Sequence, residues 1–397
     1  GLGFSPLAAS GLSLIANTAP VAFGALGTPV ITLAKVHGYD LMEVTAMIGR
    51  QLPFFSVLVP FWLIWAFAGR KAMWEIWPAI LVAGVSFAIP QFLVSNYIGP
   101  ELVDIIAAIV SMASLIAFLR VWQPKKIWTS PSMRGHDPSA AEAKPAQPVV
   151  RYSRAQLINA WMPWLILSVC VFVWGLPSVK AALNGIFAPA FPMDGLHNLI
   201  EKMPPVVPKP TKEGAVYTLN LLSATGTGIL LSALISALLM RYSPVAIVGT
   251  FFRTVWLVRY SLLTIVLMLA LGTLTRYSGT DTTLGLAFAN TGVLYPFFGT
   301  LMGWLGVALT GSDTASNVLF GGMQKVAAEQ LGLSPNLMGA ANSSGGVMGK
   351  MIDAQSIVVA STATRWFNHE GDILRFVFFH SIALACLVGL LVSLQAY

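Results

Sequence analysis

Ala16-Asn17-Thr18-Ala19-Pro20-Val21-Ala22-Phe23-Gly24 lies inside a run without a single charged residue, Leu2 to Ala34. That run is long enough to cross a bilayer, because about 20 helical residues span roughly 30 Å of hydrocarbon. Pro20, Gly24, Gly27 and Pro29 nevertheless interrupt it. Proline removes a backbone donor and glycine invites non-helical dihedrals. A helix broken at membrane depth leaves amide and carbonyl groups that lipid cannot satisfy, so such backbone persists only where it lines a polar cavity. The stretch predicts a broken membrane span.

The rest of the 397 residues agree with a membrane setting. Only 10% are Asp, Glu, Lys or Arg and 56% are hydrophobic, with 12 Trp and 22 Phe; average soluble proteins carry about 25% charge. Mean hydropathy is +0.74. This excludes an ordinary soluble fold, since one core cannot bury that much apolar surface and the surplus must face lipid. The net charge of +7 does not signal nucleic acid, because no dense basic stripe interleaved with aromatics occurs. Cys170 and Cys386 sit in separate apolar runs without CxxC spacing, so neither a disulfide framework nor a metal site is signalled. The chain opens at Gly1 in the approach to a span, without Met, basic leader or cleavage site, and a further segment is expected upstream.

Uncharged runs give a crossing map. After the broken run come Leu52 to Gly69, Ile76 to Ile98, Val103 to Leu119, Gln156 to Leu176, Leu219 to Met240 and Tyr260 to Thr275. Thr282 to Ser312 is studded with Gly, Asn290 and Pro296 and continues through Asp313 to Leu331, so 282–331 is a re-entrant hairpin or two crossings. Pro335 to Thr364 is a second interrupted span, and Phe376 to Ala396 a clean last helix. Alternating sides places 12 of the 23 Lys and Arg on the face that carries Arg70, Arg120 and Arg241, against seven on the other; the richer face is cytoplasmic by the positive-inside rule. Residues 123–155 then form a cytoplasmic linker and 177–215, with seven prolines, an extracytoplasmic loop. The expected halves are 1–122 and 156–397.

Ala341-Asn342-Ser343-Ser344-Gly345-Gly346-Val347-Met348-Gly349 echoes the opening stretch: an Ala-Asn-hydroxyl triplet, with a Gly closing the nonapeptide. By the side count the two copies run in opposite directions. The fold expected is an all-α polytopic membrane protein, an inverted-repeat secondary transporter with broken helices and a re-entrant hairpin. In that arrangement, with a break at Gly345-Gly346, Asn17, Thr18, Asn342, Ser343 and Ser344 complete the hydrogen bonding of the breaks and offer donors to a small carboxylate, helped by half-helix N-termini. Alternatively, they patch kinks and glue helices together.

A third polar cluster, Thr310-Gly311-Ser312-Asp313-Thr314-Ala315-Ser316-Asn317, falls between two apolar arms and reads as a hairpin tip. Ser312 or Asp313 caps the second arm and Thr314, Ser316 and Asn317 fill its first turn, a role compatible with ligand binding. A carboxyl is costly at membrane depth when ionised, so Asp313 is a candidate proton carrier; an exposed loop carboxylate is the competing reading. Lys350 follows the second copy and pairs with a substrate carboxylate, pairs with Asp353, or snorkels to the interface. His380 in the last helix reads as a packing histidine.

Ser13-Leu14-Ile15-Ala16-Asn17-Thr18-Ala19-Pro20, Gly49-Arg50-Gln51-Leu52-Pro53, Ile98-Gly99-Pro100-Glu101-Leu102, Ser223-Ala224-Thr225-Gly226-Thr227, Gly303-Trp304-Leu305-Gly306, Gly345-Gly346-Val347-Met348-Gly349-Lys350-Met351-Ile352 and Leu394-Gln395-Ala396-Tyr397 together resemble the bacterial lactate permease family across essentially the whole chain. The resemblance implies a proton-coupled symporter for lactate and glycolate in the bacterial inner membrane, related to the broader ion transporter superfamily. It also implies an upstream Gly-rich segment with a carboxylate that forms a partner hairpin. Ser343-Ser344 replaces the family's usual Thr-Thr and keeps the hydroxyls, and Asp353 stands where a small polar residue is expected.

The function expected is uptake of small 2-hydroxymonocarboxylates, with no cofactor beyond the coupling proton, no metal and no nucleic-acid partner. The partners are the carboxylate substrate and the lipid bilayer. A sodium-coupled carboxylate carrier is the first alternative, since unwound carbonyls and Asn, Ser and Thr oxygens also coordinate Na⁺. An intramembrane hydrolase using Ser312 or Ser344 with His380 is the weaker one, because no Gly-x-Ser-x-Gly signature surrounds either serine.

Overall fold

The computed structural model describes residues 5–18, 20–124, 153–204, 209–364, 366 and 369–397. Most of the expected linker 123–155 therefore lies outside the described residues. The chain divides into two compact units, residues 1–137 with 265–397, and residues 138–264. These units follow helix packing, whereas the expected halves follow chain order.

The first unit opens with the broken span. Helix α1 (Pro6–Ala16) is capped by Ser5, whose Oγ accepts the Ala8 N–H at 3.3 Å, and it ends at Asn17. A 3-10 turn (Val21–Phe23) leads into α2 (Gly24–His37). The α2 backbone is left-handed at Ala25, Leu26 and Gly27, with φ of 48°, 58° and 71°. Two consecutive non-glycine residues in that region are strained for L-residues. Gly27 is required by space as well, since a Cβ there would come 2.6 Å from the Pro100 ring. The two arms are bent by 62°, so the interruption expected around Pro20 extends over Asn17 to Gly27.

Helices α3 (Leu41–Glu75), α4 (Trp77–Tyr97) and α5 (Val103–Val121) follow as neighbours in sequence and space. Asp40 caps α3 through the Glu43 N–H at 2.8 Å, and Gly69, at φ 80°, kinks it near its end. In the second unit, α6 (Arg154–Gly175) starts with a Ser153/Gln156 capping box, and α7 (Pro177–Ile186), four short strands and α8 (Thr225–Leu239) succeed it. The strands are β1 (Ala190–Pro192), β2 (Ile200–Lys202), β3 (Thr211–Glu213) and β4 (Val216–Thr218), paired antiparallel as β1 with β4 and β2 with β3. Residues 177–215 are thus not a plain loop: Pro177 starts α7 and Pro192 ends β1, positions where a missing N–H is tolerated. The helix expected from Leu219 begins only at Thr225. Gly228 lets α8 approach α6, as a Cβ there would lie 2.8 Å from Trp174. Helix α9 (Pro244–Ser278) is far longer than the expected 260–275; its residues to Thr264 belong to this unit.

The rest of the first unit carries the polar machinery. Helix α10 (Thr280–Ala289) ends at Asn290, and α11 (Tyr295–Thr310) starts afresh with Pro296 in its first turn. The hairpin is therefore shorter than 282–331: its arms are α11 and α12 (Asp313–Gln330). Gly311, at φ 71°, closes α11, and Ser312 caps α12 through the Ala315 N–H at 3.3 Å. Then come α13 (Pro335–Gly349), α14 (Ala354–Ala363) and α15 (Glu370–Ala396).

The second interruption is displaced from its expected place. Gly345-Gly346 does not break the helix; α13 runs through Asn342-Ser343-Ser344-Gly345-Gly346 and stops at Gly349, and the non-helical link is Lys350 to Asp353. The glycines serve packing instead. A Cβ at Gly303 would strike the Asn342 backbone, one at Gly345 the Thr300 carbonyl, and one at Gly349 the Trp304 carbonyl. Backbone-to-backbone approach through small residues is how helices associate in lipid, where hydrophobic burial gives no net drive. The two triplets consequently sit in different settings, one at a break and one inside a helix.

Among the described residues, six helices are long and apolar enough to cross a membrane, and the bent α1–α2 pair makes a seventh span if counted as one. The protein is a multi-pass membrane protein built of helices.

Candidate functional site

The hairpin tip is held between α2, the second arm of the bent span, and the α13–α14 link. Helix α12 carries Asp313, Asn317 and Gln324 at spacings of four and seven, which puts them on one helical face. That face meets Asn342 and Ser343 of α13 and Tyr295 of α11. The Tyr295 hydroxyl donates to Gln324 Oε1 at 2.7 Å, and Gln324 Nε2 donates to Asn342 Oδ1 at 3.2 Å and to the Gly299 carbonyl at 2.7 Å. Asn342 Nδ2 donates to Asn317 Oδ1 at 2.9 Å, Asn317 Nδ2 to Ser343 Oγ at 3.3 Å, and Ser343 Oγ to Asp313 Oδ2 at 2.5 Å. All six side chains are buried, Asp313 with 3% exposure and the rest with none. Every bond in the chain is donated towards Asp313, so each dipole polarises the next along one direction.

Asn317 Nδ2 also donates to the Pro29 carbonyl of α2 at 3.2 Å, which ties the network to the first broken span. On the far side of the tip, Lys350 Nζ donates to the Gly311 carbonyl at 2.6 Å and lies 3.1 Å from Asp353 Oδ2. Asp353 caps α14 through the Ser356 N–H at 2.8 Å. A Cβ at Gly311 would come 3.0 Å from Asp353 Oδ1, so tip and second break are in contact. A cavity of about 450 Å³ opens here, lined by Asn17 of the first break, by Lys350 of the second and by Gln355 and Ser356 in the first turn of α14.

Each residue expected from sequence has a definite place. Asn17 is exposed, ends α1 and lines this cavity. Thr18 is buried and donates to the Ile15 carbonyl at 2.9 Å, closing the end of α1. Ser312 is the α12 cap, and Thr314 is half-buried in the first turn, outside the network. Asp313 is buried, not an exposed loop carboxylate. Asn342 and Ser343 are network members, and Ser344 is buried beside them. Lys350 is paired with Asp353. His380 accepts from the Trp62 indole at 3.1 Å, a helix-packing contact between α15 and α3.

Four side-chain atoms here are buried without a hydrogen-bond partner among the described residues: Asp313 Oδ1, Ser344 Oγ, Gln355 Nε2, and Asp353 Oδ2, which has only its ion pair with Lys350. Such orphans mark where a ligand, proton or water completes the bonding. Tyr295, Gln324 and Gln355 were not singled out in the sequence, although the four-and-seven spacing from Asp313 to Asn317 to Gln324 was a readable signal for Gln324. No group of three or more His, Cys, Asp or Glu suited to a metal occurs among the described residues.

A multi-pass helical protein with a bent span, a hairpin tip beside it and a buried carboxylate at that tip is built as a membrane transporter. A family model described as L-lactate permease matches residues 1–397. The chain belongs to the L-lactate permease family, whose members are transporters and not enzymes. It is 47% identical over 409 residues to the glycolate permease GlcA of Escherichia coli, 45% over 406 residues to an L-lactate permease of Salmonella typhimurium and 45% over 412 residues to an L-lactate permease of Bacillus subtilis. Each comparison covers 100% of this chain and 72% of the relative. No solved structure matches the chain.

Proposed function

We propose that the protein imports lactate, glycolate and similar small 2-hydroxymonocarboxylates together with a proton across a bacterial inner membrane. The relatives' names supply the substrate class. The observation that carries the coupling reading is Asp313: a buried carboxylate at the end of a one-way hydrogen-bond chain, with Oδ1 left without a partner. A carboxyl at membrane depth that exchanges a proton as the tip moves between water and protein is a coupling device. Importing one monoanion with one proton is electroneutral, so the membrane potential, worth about 2.3 kcal/mol per charge per 100 mV, does not oppose entry.

In this reading the cavity where Asn17 meets Lys350 receives the substrate carboxylate. Lys350 exchanges Asp353 and the Gly311 carbonyl for the substrate. Asn342, Ser343, Ser344 and Thr18 offer amide and hydroxyl bonds when the tip withdraws, and Ser312 and Thr314 border them at the tip. The coupling ion is the proton, and no cofactor takes part.

The test is lactate uptake into membrane vesicles under an imposed pH gradient. Asp313→Asn is expected to lose gradient-driven accumulation while keeping lactate–lactate exchange. Accumulation by the variant at the wild-type level would overturn the assignment. Lactate-driven alkalinisation of a sodium-free medium is expected from the unaltered protein, and its dependence on added sodium would favour the sodium-coupled reading.

A further inference from the structure

Helix α3 carries Arg50 and Arg70 with no charged residue between them. Twenty residues at 1.5 Å each separate them by about 30 Å, the thickness of the hydrocarbon layer. The two guanidinium groups therefore mark the two membrane interfaces. At the Arg70 end, Trp65, Trp74 and Trp77 are exposed, as expected of an interfacial aromatic belt.

At the Arg50 end, a groove of about 720 Å³ runs between α3 and α4. Its polarity changes along its length. Arg50 and Gln395 stand at one end, with Asn96 hydrogen-bonded to Arg50. Pro53, Phe54 and Val57 of α3 face Val85 and Ile89 of α4 further along. Because α3 advances from 50 to 57 while α4 returns from 96 to 85, the apolar part leads from the interface into the bilayer. Phe54 and Ile89 are 63% and 53% exposed. Arg50 is exposed and engages only Nε, which donates to Asn96 Oδ1 at 3.0 Å. No carboxylate pairs with it among the described residues. Its two amino groups remain to form the bidentate contact that guanidinium makes with phosphate.

We propose that this groove is a binding site for one anionic phospholipid, with its phosphate on Arg50 and an acyl chain along Phe54, Val57, Val85 and Ile89. A polar, cationic mouth at headgroup depth above an apolar shaft at acyl depth is the complement of that molecule. The cation selects an anionic over a zwitterionic headgroup.

The test uses the purified full chain in detergent, with thermal unfolding followed on addition of phosphatidylglycerol or phosphatidylcholine of identical acyl chains, and with bound lipid counted by native mass spectrometry. Phosphatidylglycerol is expected to raise the midpoint more than phosphatidylcholine and to remain bound at one copy. Arg50→Gln is expected to lose that preference, and Ile89→Trp, which fills the shaft, to lose the bound lipid. Asn96→Ala frees Arg50 of its internal partner yet keeps the cation, and is expected to retain the preference, whereas a merely structural Arg50–Asn96 bond would lose it. Equal effects of the two lipids on the unaltered protein, or an undiminished preference in Arg50→Gln, would overturn the proposal. So would a dimer that Ile89→Trp dissociates, since a second copy would then be the occupant.

Discussion

Ser343 donates its hydroxyl to Asp313 Oδ2 across 2.5 Å, one of the bonds by which α13 grips the α11–α12 hairpin at its tip. The residues stand 30 apart in sequence, on elements whose approach depends on glycines with no space for a side chain. Network, tip and cavity all depend on that approach.

Ser343→Ala removes the bond and leaves Asp313 and Asn317 each short of a partner. Loss of a buried hydrogen bond with an orphaned partner costs about 1–3 kcal/mol, so a lower unfolding midpoint is expected, together with weaker gradient-driven uptake. Ser343→Thr retains the hydroxyl and is expected to restore both. Vesicle uptake read beside thermal unfolding checks this.

Lys350→Gln leaves the fully buried Asp353 without its cation, a change that typically costs about 3–5 kcal/mol. The double variant Lys350→Gln with Asp353→Asn is expected to recover most of that stability but not substrate affinity, which in the proposed function needs the ammonium. A double variant with wild-type KM for lactate would show that Lys350 serves only the fold.

Gly303→Ala and Gly345→Ala each force a methyl group against backbone of the facing helix. Neither backbone can step aside without separating α11 from α13, so destabilisation at or above the usual overpacking cost of about 1–3 kcal/mol is expected. Gly249→Ala, where nothing lies within 4 Å of the added carbon, serves as the control and is expected to leave the unfolding midpoint in place or raise it.

Tyr295→Phe deletes the first donor of the chain. Gln324 Oε1 loses its hydroxyl partner, at a cost of about 1–3 kcal/mol, and the polarisation reaching Asp313 weakens. Slower proton-driven uptake is expected from a variant that still folds. Stopped-flow measurement of internal pH in vesicles checks it, and an unchanged rate would confine Tyr295 to packing.

Membrane residence, the approximate spans and the broken first helix were legible because each follows from local chemistry: absence of charge over 20 residues, and proline or glycine where lipid offers no hydrogen bonds. Ser312 was readable as a cap for the same reason. The second break was misplaced because Gly345-Gly346 carries two meanings in sequence. A glycine pair permits non-helical backbone, and it equally permits a facing helix to touch; α11 with its own Gly303 decided for contact. The length of α9 escaped because Arg253 and Arg259 end an apolar run without ending a helix.

The sequence by itself determined that this chain is a helical, multi-pass membrane protein of the permease kind, with polar residues placed where lipid tolerates them least. Only the tertiary structure decided which of those residues meet. Asp313, Asn317, Gln324, Asn342, Ser343 and Tyr295 form one directed chain, while Asn17 and Lys350 share a cavity on the other side of the tip. The physical reason is range. Hydropathy and helix breaking act over a few residues, whereas a hydrogen bond between side chains 30 positions apart exists only after close packing has brought two backbones together.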